Sequence, residues 1–211
     1  MQLITKTRKD VNLKDIKEAI TAGRGLEVIR PFDELEIELV DGSTVTAVFG
    51  GLVGALTGRF AIKDAMGEAP MFKGKFSGAG YINSYARRYV LEELLPRFPA
   101  EVRELFAPRS FAENIGGELV EYADTLYLPR ATDIFGAGNW WNDIDPGAVQ
   151  LEIFKRERDH VKEFGDKGTW SYWTSSVYAS SSNYFCYVNT DGTAYLHYAY
   201  YSLALAPFFD L

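Results

Sequence analysis

Apolar and polar side chains alternate strictly along residues 34–40, which predicts a half-buried β-strand. Its apolar side consists of Leu35, Ile37 and Leu39. An Asp-Gly pair follows at residues 41–42 and favours a tight hairpin turn. Residues 44–49 then have the composition of the return strand. The Gly-rich residues 50–82 show no clear period, and their secondary structure stays open.

Three helices are predicted from the spacing of apolar residues. The first begins at the N-cap Asn12, with Asp15 in its first turn, and ends near Gly23. A second helix covers residues 84–95 and ends at Pro96. A third, short helix begins at Pro99 and ends before Pro108. The buried faces are expected to contain Leu13, Ile16 and Ile20 in the first helix, Ala86, Val90, Leu91 and Leu94 in the second, and Val102, Leu105 and Phe106 in the third.

The C-terminal hairpin has two possible registers. A two-residue Asp191-Gly192 turn would mix apolar and polar side chains on both faces of the hairpin. A three-residue turn, residues 190–192 with Gly192 in the left-handed region, pairs Val188 with Ala194. In that register Cys186 and Leu196 share the apolar face, and Tyr187, Asn189, Tyr195 and His197 share the other. Because a one-residue slip would invert every side chain, the pattern favours the three-residue turn.

The order of these elements predicts one α+β domain. We expect an N-terminal helical segment over residues 1–25 and a domain over residues 26–211, whose residues 170–211 form the ligand-binding region. The predicted core includes Leu35, Ile37, Leu39, Val90, Leu94, Val188 and Leu196.

Composition changes sharply along the chain. Residues 150–168 are crowded with charge, whereas residues 170–211 carry only Asp191 and Asp210 as charged side chains and hold eight of the 13 tyrosines. The net charge of −7 argues against a nucleic-acid partner. No apolar run is long enough to span a membrane, and residues 1–6 lack a signal-peptide pattern. We therefore expect a protein made in the cytoplasm, with no membrane insertion, that could still be a phage virion component.

The residue types that carry catalysis are scarce. His160 lies in the charged run and is expected to be solvated, and His197 has no carboxylate near it in sequence. The single cysteine, Cys186, is expected to be a small buried apolar residue rather than a nucleophile. Asp143 and Asp145 could serve acid–base or metal chemistry, although an Asp-rich loop is more often only a loop. We therefore predict a protein that is not an enzyme and has no cofactor and no metal site.

Several segments resemble one family. Trp170-Ser171-Tyr172-Trp173-Thr174-Ser175-Ser176 contains a Trp-x-x-Ser opening, and residues 188–192 form a Val-Asn-x-x-Gly hairpin. Residues 204–207, Ala-Leu-Ala-Pro, stand where Gly-Val-Arg-Pro is commoner. Together with the helix at 84–95 and Leu-Pro-Arg-Ala-Thr at 128–132, they resemble bacterial and phage C-type-lectin-like proteins. The resemblance covers roughly residues 80–211 and implies a C-type-lectin-like fold of two helices and small antiparallel sheets with long loops.

Within that group, the C-terminal composition resembles the variable proteins of diversity-generating retroelements, including a phage major tropism determinant. In those systems, Asn codons are randomised to Tyr, Ser, His and similar residues. Residues of these types here are Tyr178, Ser182, Asn183, Tyr184, Tyr187, Tyr195, His197, Tyr198, Tyr200 and Tyr201. The resemblance implies a non-enzymatic, hypervariable display surface for a protein or cell-surface macromolecule.

The residues support a binding surface independently of the family. Tyr offers a large, stiff contact area and Ser offers adaptable hydrogen bonds, as in antibody paratopes. Eight tyrosines in so short a segment are too many to bury with every hydroxyl paired. We predict that the ten residues above, with Asn189, form the ligand-binding site. A Tyr-rich core or a homo-oligomer contact would account for the same composition.

Two other functions stay open. A calcium-dependent sugar-binding lectin would match the tripeptide Trp141-Asn142-Asp143, but that tripeptide lies about seventy residues from the C-terminus here and no Glu-Pro-Asn or Gln-Pro-Asp loop precedes it. A formylglycine-generating type of enzyme would need reactive cysteines or metal ligands.

Overall fold

The computed structural model describes residues 12–74, 79–141, 143–145 and 148–211. The expectations for residues 1–6 and for Asn142 lie outside these residues. Within the described residues, the helices in chain order are α1 (Leu13–Thr21), α2 (Gly25–Val28), α3 (Tyr85–Tyr89), α4 (Ala100–Arg103) and α5 (Ala131–Phe135). The strands are β1 (Glu34–Glu38), β2 (Thr44–Leu52), β3 (Gly58–Ile62), β4 (Gly67–Pro70), β5 (Arg109–Ile115), β6 (Glu118–Asp124), β7 (Leu126–Tyr127), β8 (Tyr172–Val177), β9 (Tyr184–Val188), β10 (Ala194–Tyr198), β11 (Ser202–Leu205) and β12 (Phe208–Asp210).

Helix α1 begins and ends as its sequence predicts. The Asn12 side chain accepts a hydrogen bond from the backbone N–H of Asp15 at 2.9 Å, which satisfies one of the free N–H groups of the first turn. Gly23 follows the helix with φ +71°, the left-handed conformation that ends many helices. The buried face of α1 includes Ile16 and Ile20. Both belong to the same apolar core as the strands that follow.

The first sheet joins the two halves of the chain, in the strand order β1-β2-β3-β12-β7. The alternation in β1 is confirmed, because Leu35, Ile37 and Leu39 are buried while Glu36 and Glu38 are exposed. Strand β3 was not predicted, since all five of its residues are buried and its sequence therefore does not alternate. The last strand, β12, pairs antiparallel with both β3 and β7.

The second sheet carries the C-terminal hairpin, in the order β10-β9-β8-β11-β4. Strands β8 and β11 are parallel, and the other neighbours are antiparallel. Strand β10 is an edge of this sheet. Strands β5 and β6 form a separate two-stranded sheet. The architecture is α+β, with few helices and several small antiparallel sheets.

The helical region after residue 80 differs in detail from the prediction. Ser84 caps α3 by accepting a hydrogen bond from the N–H of Arg87 at 3.0 Å. The helix then continues through a π-helical turn, Val90–Leu94, and a 3₁₀ turn, Leu95–Arg97. The 3₁₀ turn contains Pro96, so the helical conformation ends slightly beyond the predicted residue 95. Helix α4 covers only Ala100–Arg103, so it is shorter than the segment predicted between Pro99 and Pro108, and Leu105 and Phe106 lie beyond its end.

Most of the predicted core is buried, and two predictions about burial need correction, one for Leu196 of that core and one for His160. Val90, Leu94 and Val188 are buried, but Leu196 is half-buried at the edge of a small cluster with Trp141 and Cys186. The prediction that His160 is solvated is wrong, because it is only 6% exposed. Its ring packs edge-on against Phe135 at 5.0 Å between ring centres.

Candidate functional site: an aromatic surface and an adjoining pocket

The register of the β9–β10 hairpin positions the predicted site. Val188 pairs with Ala194, Tyr187 with Tyr195 and Cys186 with Leu196, as predicted. The turn is fixed by Gly192, whose φ of +88° requires the left-handed region. Asp191 also stabilises the turn, since its Oδ1 accepts hydrogen bonds from the N–H of Thr193 at 3.0 Å and from its hydroxyl at 2.6 Å.

An unbroken series of ring contacts surrounds the edge strand β10. We call these rings the aromatic surface, and their residues are Trp140, Tyr178, Tyr184, Tyr187, Tyr195, His197, Tyr198, Tyr200 and Tyr201. The closest ring centres are His197–Tyr201 at 4.0 Å and Tyr184–Tyr198 at 4.3 Å. The structure therefore brings together every aromatic residue and the histidine of the predicted site.

The exposure of these rings differs from one to the next. Tyr195 is 57% exposed, Tyr201 46% and Tyr198 42%. Tyr178, Tyr184 and Tyr200 are half-buried. Tyr187 differs from the prediction of an exposed ring, because it is only 9% exposed and packs against Trp173 at 6.1 Å between ring centres. Tyr187 therefore lies beneath the exposed rings and supports them.

A hydrogen bond shifts the pKa of one ring in the aromatic surface, and burial shifts the pKa of another. A hydrogen bond with Tyr198 raises the pKa of Tyr184 to about 12. Burial lowers the pKa of His197. Its Nδ1 accepts a hydrogen bond from the backbone N–H of Tyr198 at 2.9 Å. An Nδ1 that accepts a hydrogen bond belongs to a neutral imidazole. The imidazole of His197 is therefore neutral in this arrangement.

The polar members of the predicted site lie at two places. Ser182 and Asn183 are exposed in the turn between β8 and β9, beside Tyr184. Asn189 lies at the opposite end of the hairpin, where its side-chain oxygen accepts a hydrogen bond from the N–H of Thr190 at 2.9 Å. The structure therefore groups Ser182 and Asn183 with the tyrosines and gives Asn189 a role in the turn.

Trp140 is a member of the aromatic surface that the sequence prediction missed. It is 41% exposed and contacts Tyr195 at 6.3 Å between ring centres. Its carbonyl accepts a hydrogen bond from the N–H of Ala179 at 2.8 Å, which holds it against the β8–β9 turn. Trp141, the next residue, points into the core instead, against Phe135. The adjacent tryptophans were the available signal, because neighbouring residues in an extended segment face opposite sides.

A pocket of about 360 Å³ adjoins the aromatic surface at Tyr178 and Ser182. It lies between the tip of the β5–β6 hairpin, the residue before α5 and the β8–β9 turn. Its lining consists of Gly80, Ala112, Glu113, Asn114, Ile115, Gly116, Arg130, Asp143, Val177, Tyr178, Ala179 and Ser182. The pocket was not predicted, because its walls come from segments that are distant in sequence.

A buried ionic network forms the base of this pocket and extends into the core. Asp133 accepts hydrogen bonds from both Arg59 at 3.0 Å and Arg109 at 2.6 Å. Arg59 also binds Asp210 at 2.9 Å. Arg130, which precedes α5, binds Asp145 at 2.6 Å. Asp145 is therefore a structural partner of arginine and not a free catalytic carboxylate.

A buried histidine supports the tip of the β9–β10 hairpin. His160 Nδ1 lies 2.9 Å from the carbonyl oxygen of Gly192, and its Nε2 lies 2.6 Å from that of Phe154. A carbonyl oxygen only accepts hydrogen bonds, so the imidazole donates to both when both nitrogens carry a proton. The charged run thus supplies a contact that fixes the turn on which the aromatic surface depends.

The described residues also bear on the cysteine, on metal binding and on membrane insertion. Cys186 is buried in β9, and burial raises the pKa of its thiol, which disfavours the nucleophilic thiolate. No group of three or more His, Cys, Asp or Glu side chains lies together among the described residues in a way that could hold a metal ion. In that same part of the chain, no helix has both the length and the apolar character needed to cross a bilayer.

Comparison with known sequences gives one match. The profile of a family described as a domain of unknown function, DUF6273, matches residues 60–211. The matched range begins in β3 and includes the aromatic surface, the pocket and the ionic network except Arg59, whereas α1, α2, β1 and β2 precede it. Neither a search of curated proteins nor a search of solved structures found a match.

Proposed function

The chain belongs to the DUF6273 family, and from that premise we propose that it is a non-enzymatic binding protein that displays its aromatic surface to a protein or cell-surface macromolecule. The observation that carries the proposal is the continuity of exposed rings around an edge strand. Three tyrosines and Trp140 are each more than 40% exposed, and the less exposed rings of Tyr187, His197 and Tyr200 connect them. Clusters of exposed aromatic side chains commonly mark interaction sites.

The physical properties of the surface suit recognition of a macromolecule. Tyr and Trp supply much contact area with few rotatable bonds, so little conformational entropy is lost on binding. Tyr187 and Trp173 form a buried support below the exposed rings. A supported ring is already ordered before the partner arrives, which lowers the cost of association.

We further propose a C-type-lectin-like fold, and variation of the exposed positions by a diversity-generating retroelement. The predicted hairpin register, the small antiparallel sheets and the irregular segment between α5 and β8 support the fold assignment. The concentration of Tyr, Ser, Asn and His on one surface supports the proposed variation. In this proposal, residues 170–211 are the variable ligand-binding region, and the rings most open to solvent, Tyr195, Tyr198 and Tyr201, vary with the least effect on folding.

The two alternative functions have weaker support. For a calcium-dependent lectin, the carboxylate nearest the hairpin is Asp191, which is engaged within its own turn. For a formylglycine-generating type of enzyme, the thiol of Cys186 is buried. No observation on the described residues favours either function over a binding surface.

The test of the binding surface compares two triple variants. In the first, Tyr195, Tyr198 and Tyr201 are replaced by Ala. The matched control replaces Leu26, Val40 and Leu56, which are 50%, 65% and 54% exposed and lie outside the aromatic surface. Both variants and the wild type are applied to an array of purified cell-surface proteins, and binding is quantified by interferometry.

A partner of the aromatic surface should bind the wild type and the control alike. It should lose affinity for the tyrosine variant by ~30-fold or more, since truncating one central Tyr costs about 2 kcal/mol. Equal binding of both variants to every partner found would show that these rings are not the binding surface. The retroelement is tested separately by sequencing the neighbouring DNA. A reverse-transcriptase gene beside a near-copy of the region encoding residues 170–211, differing at adenines, is expected.

A further inference from the structure

The pocket beside Tyr178 contains an arginine that has no donor left for a ligand. Arg130 has five N–H donors. Two of them bind Asp145 at 2.6 and 2.9 Å, and one binds Glu113 at 3.1 Å. The other two bind the backbone carbonyls of Ser175 at 3.0 Å and Ala112 at 3.2 Å. An anion entering the pocket would therefore find no free guanidinium donor on Arg130.

The two carboxylates that line the pocket retain acceptor capacity. Glu113 Oε2 accepts one long hydrogen bond, from the N–H of Ile82 at 3.3 Å. Asp143 Oδ2 accepts hydrogen bonds from the N–H of Thr132 at 3.1 Å and from its hydroxyl at 2.9 Å. The hydroxyl of Ser176 lies 2.7 Å from Oδ1 and 2.8 Å from Oδ2 of Asp143, and its one proton cannot serve both oxygens at once. Glu113 Oε1 accepts from Tyr122 and Arg130. Since an ionised carboxylate can accept about four hydrogen bonds, each of the two, with three from the described residues, can accept about one more.

The charges around the pocket do not balance within the described residues. The network contains the four carboxylates of Glu113, Asp133, Asp145 and Asp210 and the three guanidinium groups of Arg59, Arg109 and Arg130, and the carboxylate of Asp143 lies beside it in the pocket lining. When all are ionised, five negative and three positive charges leave an excess of two negative charges. In the part of the chain that the structure describes, no Arg or Lys forms an ion pair with Asp143, and burial raises the pKa of its carboxyl although the charge of Arg130 acts in the opposite direction. A cation in the pocket would offset that burial.

The walls of the pocket suit a side chain with an apolar stem. Ile115 and Val177 provide aliphatic surface, and Tyr178 provides an aromatic ring at the border with the aromatic surface. A volume of about 360 Å³ lies within the range of small-ligand pockets. Aliphatic walls, a ring and two carboxylates are complementary to a cation on a methylene chain.

We propose that this pocket binds the cationic side chain of an arginine that the macromolecular ligand presents beside the aromatic surface. Arginine fits better than lysine because its rigid fork of five donors can reach two carboxylates, whereas an ammonium is a point charge. The assignment of the cation to a macromolecular ligand rests on the proposed function. The affinity of the pocket for a guanidinium group does not.

The test uses small probes that reach the pocket alone. N-acetyl-arginine methylamide and its neutral isostere N-acetyl-citrulline methylamide are titrated, in EDTA, into the full chain labelled with ¹⁵N. Backbone amide shifts of Gly116, Val177 and Ala179 report the pocket. The arginine probe should shift these amides with millimolar affinity, at least ~10-fold tighter than the citrulline probe. Equal affinity for the two probes, or no shift of these amides up to about 50 mM, would overturn the proposal.

Two lysine variants separate the pocket from general charge effects. Ser182→Lys places a competing cation at the mouth of the pocket, and Ser180→Lys adds the same charge two residues away, outside the lining. Both sites are exposed, so both variants should keep the wild-type fold and spectrum. Ser182→Lys should weaken the arginine probe by ~10-fold, and Ser180→Lys by less than about twofold. Equal weakening by both would contradict a localised site.

Other outcomes bear on distinct parts of the proposal. If Ca²⁺ without EDTA shifts the same amides at lower concentration than the arginine probe, the pocket is a metal site and the proposal fails. If the arginine probe binds but the variant of Tyr195, Tyr198 and Tyr201 keeps full affinity for every partner, the proposed function fails and the pocket stands. These tyrosines do not line the pocket, so the two failures are distinguishable.

Discussion

Substitution of Asp133 by Asn should destabilise the protein strongly, because that carboxylate joins two buried arginines. Asp133 is 0% exposed and accepts hydrogen bonds from Arg59 at 3.0 Å and from Arg109 at 2.6 and 3.1 Å. Arg59 would keep Asp210, but the nearest remaining carboxylate to Arg109 is Asp145 at 4.0 Å. The substitution therefore leaves Arg109 as a buried cation without a close counter-ion.

The magnitude follows from the cost of breaking a buried ion pair on one side, about 3–5 kcal/mol. For a chain of this size, each kcal/mol lowers the melting temperature by about 2–4 °C, so a decrease of ~6–20 °C is expected. Urea unfolding at neutral pH, followed by tryptophan fluorescence, measures the loss of unfolding free energy, and a thermal melt measures the decrease in melting temperature. Asp166→Asn is the control, since Asp166 is exposed and its loss should change stability by less than about 0.5 kcal/mol.

The pH dependence of the stability difference between wild type and Asp133→Asn provides a second check. Burial opposes ionisation of Asp133, but Arg109 and Arg59 outweigh it and lower the pKa of the carboxyl below its usual value. A lowered pKa gives stability that is present above the unfolded-state pKa and is lost as the pH falls through the folded-state pKa. The difference in the free energy of unfolding between wild type and Asp133→Asn should therefore become smaller as the pH is lowered. A variant within about 1 kcal/mol of wild type at neutral pH would refute the reasoning, because a buried pair would then contribute nothing.

Three further predictions concern the hairpin, its rings and metal. Gly192→Ala should lower the free energy of unfolding more than Gly42→Ala does. Both residues have positive φ, so each substitution costs about 1–2 kcal/mol of strain. A Cβ at residue 192 would in addition lie 2.5 Å from the carbonyl oxygen of Glu157. Tyr187→Ala should lower the free energy of unfolding by about 3 kcal/mol or more, whereas Tyr195→Ala, at a ring 57% exposed, should change it by less than about 0.5 kcal/mol. Addition of EDTA should leave the melting temperature unchanged, and a large decrease would reveal a bound metal, because a ligand of the native state alone must stabilise it.

The parts of the fold that the sequence predicted are those where one short segment determines the outcome. In β1, alternate residues face core and solvent, so the pattern itself contains the structure. In the β9–β10 hairpin, Gly192 and the apolar residues at 186 and 188 leave one register in which both faces are consistent. The N-cap of α1 is likewise a contact between residues three positions apart.

The remaining features depend on neighbours that are distant in sequence. His160 was predicted to be solvated because it lies among charged residues, yet its partners include Gly192, 32 residues later. The Arg59–Asp210 pair spans 151 residues. A charged residue gives no local sign that a counter-ion will bury it, so sequence reasoning assigns it to the surface by default. The pocket could not be predicted for the same reason, since its walls combine five separate segments.

The proposed variation of the aromatic surface would need a base that does not depend on the varied side chains. The ionic network meets this requirement, because its bonds join β3, β5, α5 and β12 without using a side chain of the aromatic surface. His160 holds the hairpin turn through a backbone carbonyl, a contact that survives any change of the neighbouring side chains. Below the rings, Trp173 donates a hydrogen bond to the carbonyl of Ala69 at 3.0 Å. Substitution at Tyr195, Tyr198 or Tyr201 should therefore leave in place the contacts that position the surface, and on the proposed function it should change what the surface binds.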